Sequence, residues 1–213
     1  MSNRRELEDF LRQLRRRQHS PIVQNPYRLP GREDNLHVYL QALSQRPGRR
    51  ILLVGEAPGY RGCLLTGIPF SSEALLTEPP HRFLRQLRHD LHIEGATSEA
   101  TASMVWAFLA GRRTLPLFWN AFPFHPHRRG EPQSNRAPGA AEVVEGRSYL
   151  QALGRLYRPG LVAGVGNKGY AAACAAFPDL VVGRIRHPSY GGKREFNEGM
   201  RRLYRRPLSA APG

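Results

Sequence analysis

The chain reads as an α/β protein built on a short, mostly parallel sheet covered on both sides. Three observations predict this. Short apolar runs recur at 51–54 (ILLV), 115–119, 161–165 (LVAGV) and 180–185. Stretches with apolar residues at helical spacing separate them, the alternation expected of crossover connections. The length of 213 residues suits one α/β domain with a sizeable core.

The elements follow in order. Leu7, Phe10, Leu11 and Leu14 lie at i, i+3, i+4, i+7 and predict a helix whose other face carries Arg5, Arg12, Arg15 and Arg16. Residues 20–34, SPIVQNPYRLPGRED, hold three prolines and a glycine and predict an irregular connection. A second helix is predicted from near Asn35, with Leu36, Tyr39, Leu40 and Leu43 on one side. Pro47-Gly48 then precedes the first buried strand. Helices are predicted over 81–91, 99–109, 140–157 and 168–176, and a last one carries Phe196, Met200, Leu203 and Tyr204 on one face. Residues 128–138 read as a polar loop, and Pro207–Gly213 as a disordered tail. We expect a basic N-terminal helical extension, 1–46, lying by its leucines and Phe10 against a domain over 47–206.

Composition narrows the function classes. The net charge is +15, from 32 Lys+Arg against 17 Asp+Glu, which favours a polyanionic partner, although arginine-rich composition alone would also raise it. No apolar run nears the ~20 residues of a membrane span, and residues 1–20 carry charge throughout with no apolar signal-peptide core. Cys63 and Cys174 make neither a disulfide framework nor a ligand set, and the histidines lack zinc spacing, so we expect no metal and no cofactor.

In parallel sheets function collects at the carboxyl ends of strands. Here those ends carry GEAPGYRG (55–62), NAFPFHPH (120–127), GNK (166–168) and RHPSY (186–190). The first loop matches neither GxxxxGK[ST] nor GxGxxG; Pro58 removes an amide donor and Glu56 would repel phosphate, which argues against a nucleotide cofactor. Read alone, it is also compatible with a tight turn in which Glu56 is incidental.

Taken in order, GEAPG (55–59), GIPF (67–70), the strand-ending Asn120, NRAP (135–138) and HPS (187–189) resemble the uracil-DNA glycosylase superfamily, closest to its family 4 branch, over roughly 51–204. The resemblance implies a three-layer α/β/α sandwich and a monofunctional DNA glycosylase that hydrolyses the N-glycosidic bond of uracil, or another deaminated base, to leave an abasic site. It implies that Phe70 stacks on the flipped base, that Asn120 reads its Watson–Crick edge, and that Gly55 and Ala57 line the base site. His187, biased to an extended backbone by Pro188, would hydrogen-bond the departing base. Glu56 would polarise water or face the sugar as it becomes cationic. Ser189, Tyr190, Lys193 and Arg194 would meet DNA, Tyr190 as a wedge, and Lys168 would contact phosphate.

The chain departs from family 4 in lacking its four cluster cysteines; FPFHPH stands where a cysteine stretch would be, and His125 and His127 are expected as exposed loop residues, the alternative being that they contact DNA or tune the pocket. With no lysine in the pocket motifs, no Schiff-base route is expected. The expected partner is DNA containing damaged or deaminated bases, met by a cytoplasmic, nucleoid-associated monomer with no membrane contact. Other readings are a non-catalytic nucleic-acid-binding protein of the same fold, or a glycosylase for xanthine or hypoxanthine.

Overall fold

The computed structural model describes residues 2–206; the expectation for the tail, Pro207–Gly213, lies outside them. Helix α1 (Ser2–Arg16) leads through strand β1 (Val23–Gln24) and a 3-10 turn at Pro26–Arg28 into α2 (Arg32–Ser44). Strand β2 (Ile51–Gly55) is followed by α3 (Cys63–Thr66), α4 (Glu73–Thr77), α5 (Arg82–Leu87) and α6 (Ala100–Leu109). Strands β3 (Leu117–Asn120) and β4 (His125–Pro126) precede α7 (Ala140–Tyr157), and β5 (Leu161–Val165), α8 (Gly166–Ala176), β6 (Gly183–Ile185) and α9 (Lys193–Arg205) complete the chain.

Among the described residues the main sheet has the order β3-β2-β5-β6, every neighbour parallel. All residues of β2, β3 and β5 are buried, which a sheet achieves only with helices on both faces. This is the three-layer arrangement. Parallel pairing also brings the carboxyl ends of the strands together, with Gly55 opposite Asn120 and Val165 opposite Ile185. Helix α8 lies tight against the centre of the sheet at Gly169, where a Cβ would stand 2.1 Å from the Val54 carbonyl oxygen.

The apolar runs locate β5 and α7 at the predicted bounds, 161–165 and 140–157. Strand β6 is shorter than its run because it is an edge paired only with β5, and Val181 stays 73% exposed. Helix α2 starts before Asn35, at Arg32, because Gly31 takes φ 75° immediately ahead of it. The helix predicted over 81–91 stops at Leu87 and continues as a 3-10 turn, Arg88–Asp90.

The connection over 20–34 is more ordered than its composition suggests. Buried Asn25 donates from Nδ2 to the carbonyls of Leu14 and Arg17, closing the end of α1, and its Oδ1 accepts the Tyr27 N–H to start the 3-10 turn. Strand β1 pairs antiparallel with β4, Val23 opposite Pro126 and Gln24 opposite His125. This pairing overturns the expectation that His125 and His127 are exposed: the whole segment 121–127 is buried, because β1 and the loop over 128–138 close over it.

Helix α1 belongs to the same core as the sheet. Leu7, Phe10, Leu11 and Leu14 are buried, and the Phe10 ring lies 5.4 Å from Trp119 of β3, which also stacks on Tyr27 at 6.5 Å. Among the described residues no helix is long and apolar enough to cross a membrane.

Truncating Phe10 therefore opens a cavity beside the sheet. Phe10→Ala is expected to lower stability by about 3–5 kcal/mol in one cooperative denaturant transition. A loss below about 1 kcal/mol would show that α1 contributes little to the fold.

Candidate active site

At the carboxyl edge of the sheet lies a cleft of about 380 Å³, walled by the loops after β2, β3 and β6 together with the turn before α4. Gly55 is buried and does not itself line the cleft, but it lies against two residues that do, Phe70 and Asn120. A Cβ there would stand 2.6 Å from Phe70 Cζ and 2.9 Å from Asn120 Oδ1, so only glycine lets the ring and the carboxamide close over the strand end.

Phe70 is half-buried, with its ring 5.0 Å from Phe118. Its φ is +56°, a left-handed conformation that costs on the order of 1–3 kcal/mol for a bulky residue. The indole N–H of Trp106 donates to the Phe70 carbonyl at 3.0 Å and holds it there. Asn120 is buried at the end of β3, and its carboxamide makes no hydrogen bond to the described residues, so donor and acceptor both remain for a ligand.

His187 follows β6 and is half-buried in the cleft wall. Its Nδ1 accepts the Ser189 N–H at 3.3 Å, which leaves the proton of the neutral ring on Nε2 as a donor. Burial lowers its pKa below 6.5; the charges of Glu99 and Glu56 oppose this, and Arg186 reinforces it. The ring is neutral at pH 7.

Glu56 leaves β2 at the cleft rim with its side chain 43% exposed, and its Oε1 lies 3.4 Å from Lys168 Nζ. Lys168 sits in the first turn of α8 and also donates to the Pro138 carbonyl at 3.2 Å. The lysine missing from the glycine loop thus arrives from a different strand end.

The loop carrying Glu56 is fixed from outside. The His125 ring contacts the Pro58 carbonyl through Nδ1 at 2.7 Å and the Pro132 carbonyl through Nε2 at 3.1 Å. Burial pushes its pKa down. A neutral ring supplies one N–H, and the shorter contact assigns it to Pro58. Asn135 Oδ1 accepts the Tyr60 N–H at 3.1 Å. FPFHPH and NRAP therefore shape the cleft by gripping the glycine loop.

Sequence reasoning missed Glu99 as a cleft residue. Its two carboxylate oxygens accept the N–H groups of Thr101 and Ala102 at 2.9 and 2.8 Å, capping α6 while the side chain lines the cleft facing His187. A helix start at residue 99 was legible; its proximity to His187 was not. Thr101 joins the same wall, its hydroxyl 3.3 Å from that of Ser189.

Ala57, Ser189 and Tyr190 line the cleft, whereas Lys193 and Arg194 do not, standing exposed at the start of α9. Tyr190 is 98% exposed with φ +53°, an aromatic ring held out at the mouth. Buried Cys63 lies in the cleft wall with its thiol pushed up to about 12 by burial, and Cys174 sits apart on α8; two thiols do not fit a four-cysteine cluster. Among the described residues no group of three or more His, Cys, Asp or Glu is placed to hold a metal ion.

The cleft thus offers an aromatic face, an amide edge, a neutral imidazole donor and a carboxylate at its rim. A family model of the uracil DNA glycosylase superfamily matches residues 44–206. The solved structure of wild-type SMUG2 from Pedobacter heparinus aligns with a TM-score of 0.62, covering 93% of this chain and 96% of that one at 13% identity. No curated protein matches the sequence. Because the matched span runs from the last residue of α2 through α9 and encloses every wall of the cleft, the chain belongs to the uracil DNA glycosylase superfamily, whose members are DNA glycosylases.

Proposed function

We propose that this protein hydrolyses the N-glycosidic bond of uracil in DNA and leaves an abasic site. The observation that carries the reading is the convergence of Phe70, Asn120, His187 and Glu56 on one cleft at the strand ends. A base must leave the stack to reach it. Stacking on Phe70 contributes ~1–3 kcal/mol toward that cost. The Asn120 carboxamide donates to one uracil carbonyl and accepts the adjacent ring N–H.

As the bond to the sugar lengthens, negative charge grows on the uracil carbonyl oxygens. The His187 Nε2–H meets it as a fixed donor whose interaction strengthens only in the transition state. The sugar becomes positive, and the Glu56 carboxylate at the rim stabilises it and orients the attacking water. Exposed Tyr190 enters the space vacated by the flipped nucleotide, and the basic surface holds the phosphates.

Single-turnover release of uracil from an oligonucleotide tests this reading. Glu56→Ala and His187→Ala are each expected to slow release by about 100- to 1,000-fold while oligonucleotide binding persists. Parent rates in Glu56→Ala would remove the carboxylate from the chemistry. No release by the wild-type protein would overturn the function itself.

Asn120→Asp replaces the amide donor by an acceptor and is expected to lower uracil release and narrow the ratio of uracil to cytosine excision. An unchanged ratio at the parent rate would exclude Asn120 from reading the base.

The pH dependence follows from the burial of His187. Its folded pKa lies below 6.5, so the neutral form and its stability contribution are present above 6.5 and are lost only as pH falls through the depressed value. The acid limb of the release rate that disappears in His187→Ala is expected below pH 6.5. A limb at or above that value would contradict the assignment.

A further inference from the structure

Glu56, His187 and Tyr190 wall a second cleft, of about 730 Å³, as well as the first. Its other walls carry Lys168, Arg184, Arg186 and Arg202, all exposed, and among the described residues Glu56 is its one carboxylate. Arg184 is held in place, its Nη2 donating to Asn167 Oδ1 at 2.8 Å and its guanidinium 5.6 Å from the Tyr170 ring centre. A concave surface with four cations beside a base-sized cleft suits a chain of phosphates.

The Lys168–Glu56 pair is at odds with the role of Glu56. A carboxylate that stabilises a positive sugar loses much of its effect when an ammonium stands 3.4 Å away. The pair is 43% exposed on both sides, and such pairs are worth only about 0–1 kcal/mol, so a competing anion separates them easily. Lysine's flexible four-carbon stem lets the ammonium move to that anion while α8 stays still.

Resting on the glycosylase reading, in which the flanking phosphodiester strand passes through this second cleft, we propose that a phosphate of that strand draws Lys168 off Glu56. The carboxylate then carries its full charge only when a strand is loaded.

The test uses single-stranded oligonucleotides with one deoxyuridine whose flanking linkages are either phosphodiesters or uncharged methylphosphonates, at saturating enzyme. The methylphosphonate substrate is expected to be cleaved slowly by the wild-type protein and faster by Lys168→Met, by on the order of fivefold, because removing the lysine frees Glu56 without a phosphate. Lys168→Gln provides the second variant. Slower cleavage by both variants on both substrates would make Lys168 a plain phosphate contact, and unchanged rates would make it idle; either result overturns the exchange.

Binding is read separately with a uracil-free single strand. Each lost phosphate contact lowers the slope of log affinity against log salt by about 0.7, so Arg184→Gln with Arg202→Gln is expected to reduce it by roughly 1.4. Arg155→Gln with Arg158→Gln, on a different cleft, should leave the slope as it is. An unchanged slope in the Arg184 and Arg202 variant overturns the phosphodiester site. Wild-type protein that releases no uracil from either these strands or their duplexes overturns the proposed function and the exchange with it, whereas the phosphodiester site stands or falls on the salt slope alone.

Discussion

Gly55 ends the central strand with its backbone in contact with both the Phe70 ring and the Asn120 carboxamide. The 2.6 and 2.9 Å separations from a hypothetical Cβ leave no room for any side chain. This close approach brings the Phe70 ring and the Asn120 carboxamide together at the strand end. It requires that β2 and β3 end in register, which the parallel pairing of Gly55 with Asn120 supplies. It also requires Phe70 to keep a left-handed backbone, which the bond from Trp106 and the packing on Phe118 sustain. Core packing around Trp106 and Phe118 therefore maintains a strained residue whose side chain lines the cleft.

Electrostatics divide the site into two halves. His187 is half-buried, and that burial lowers its pKa even though Glu99 and Glu56 act to charge the ring. A neutral imidazole with its Nδ1 already accepting from Ser189 donates from Nε2 without first having to lose or gain a proton. At the rim the surroundings are wet and basic, and Glu56 there pairs with Lys168. Exposed pairs exchange partners readily and buried groups do not, so on the proposed reading the rim responds to a bound strand while the wall formed by Phe70 and Asn120 stays fixed.

The loop over 121–138 is anchored by contacts to three other segments. His125 grips the Pro58 carbonyl, Asn135 grips the Tyr60 N–H, and β1 pairs with β4 across the top. Aromatic contacts among Tyr27, Phe122, Phe124 and Tyr149 fill the space beneath. Hydrogen bonds to backbone and close aromatic packing thereby position the glycine loop.

How much of this was legible in the chain depends on the range of the interactions involved. The apolar runs located β2, β5 and α7 because a strand buried on both faces and an amphipathic helix each write their own pattern into consecutive residues. The leucines and Phe10 of α1 identified its buried face for the same reason, and the ordered motifs brought Glu56, Phe70, Asn120 and His187 forward as candidates. Strands β1 and β4, at two residues each, have no period to detect; they exist only because distant segments meet. The burial of His125 and His127, the placement of Glu99 opposite His187 and the Lys168–Glu56 pair share that origin. By itself the sequence determined which residues could do chemistry and which of the longer segments would be strands and helices, since both follow from side-chain type and local spacing. Only the tertiary structure decided which charges stand beside which, because strand register and the close approach at Gly55 bring together groups that no local pattern connects.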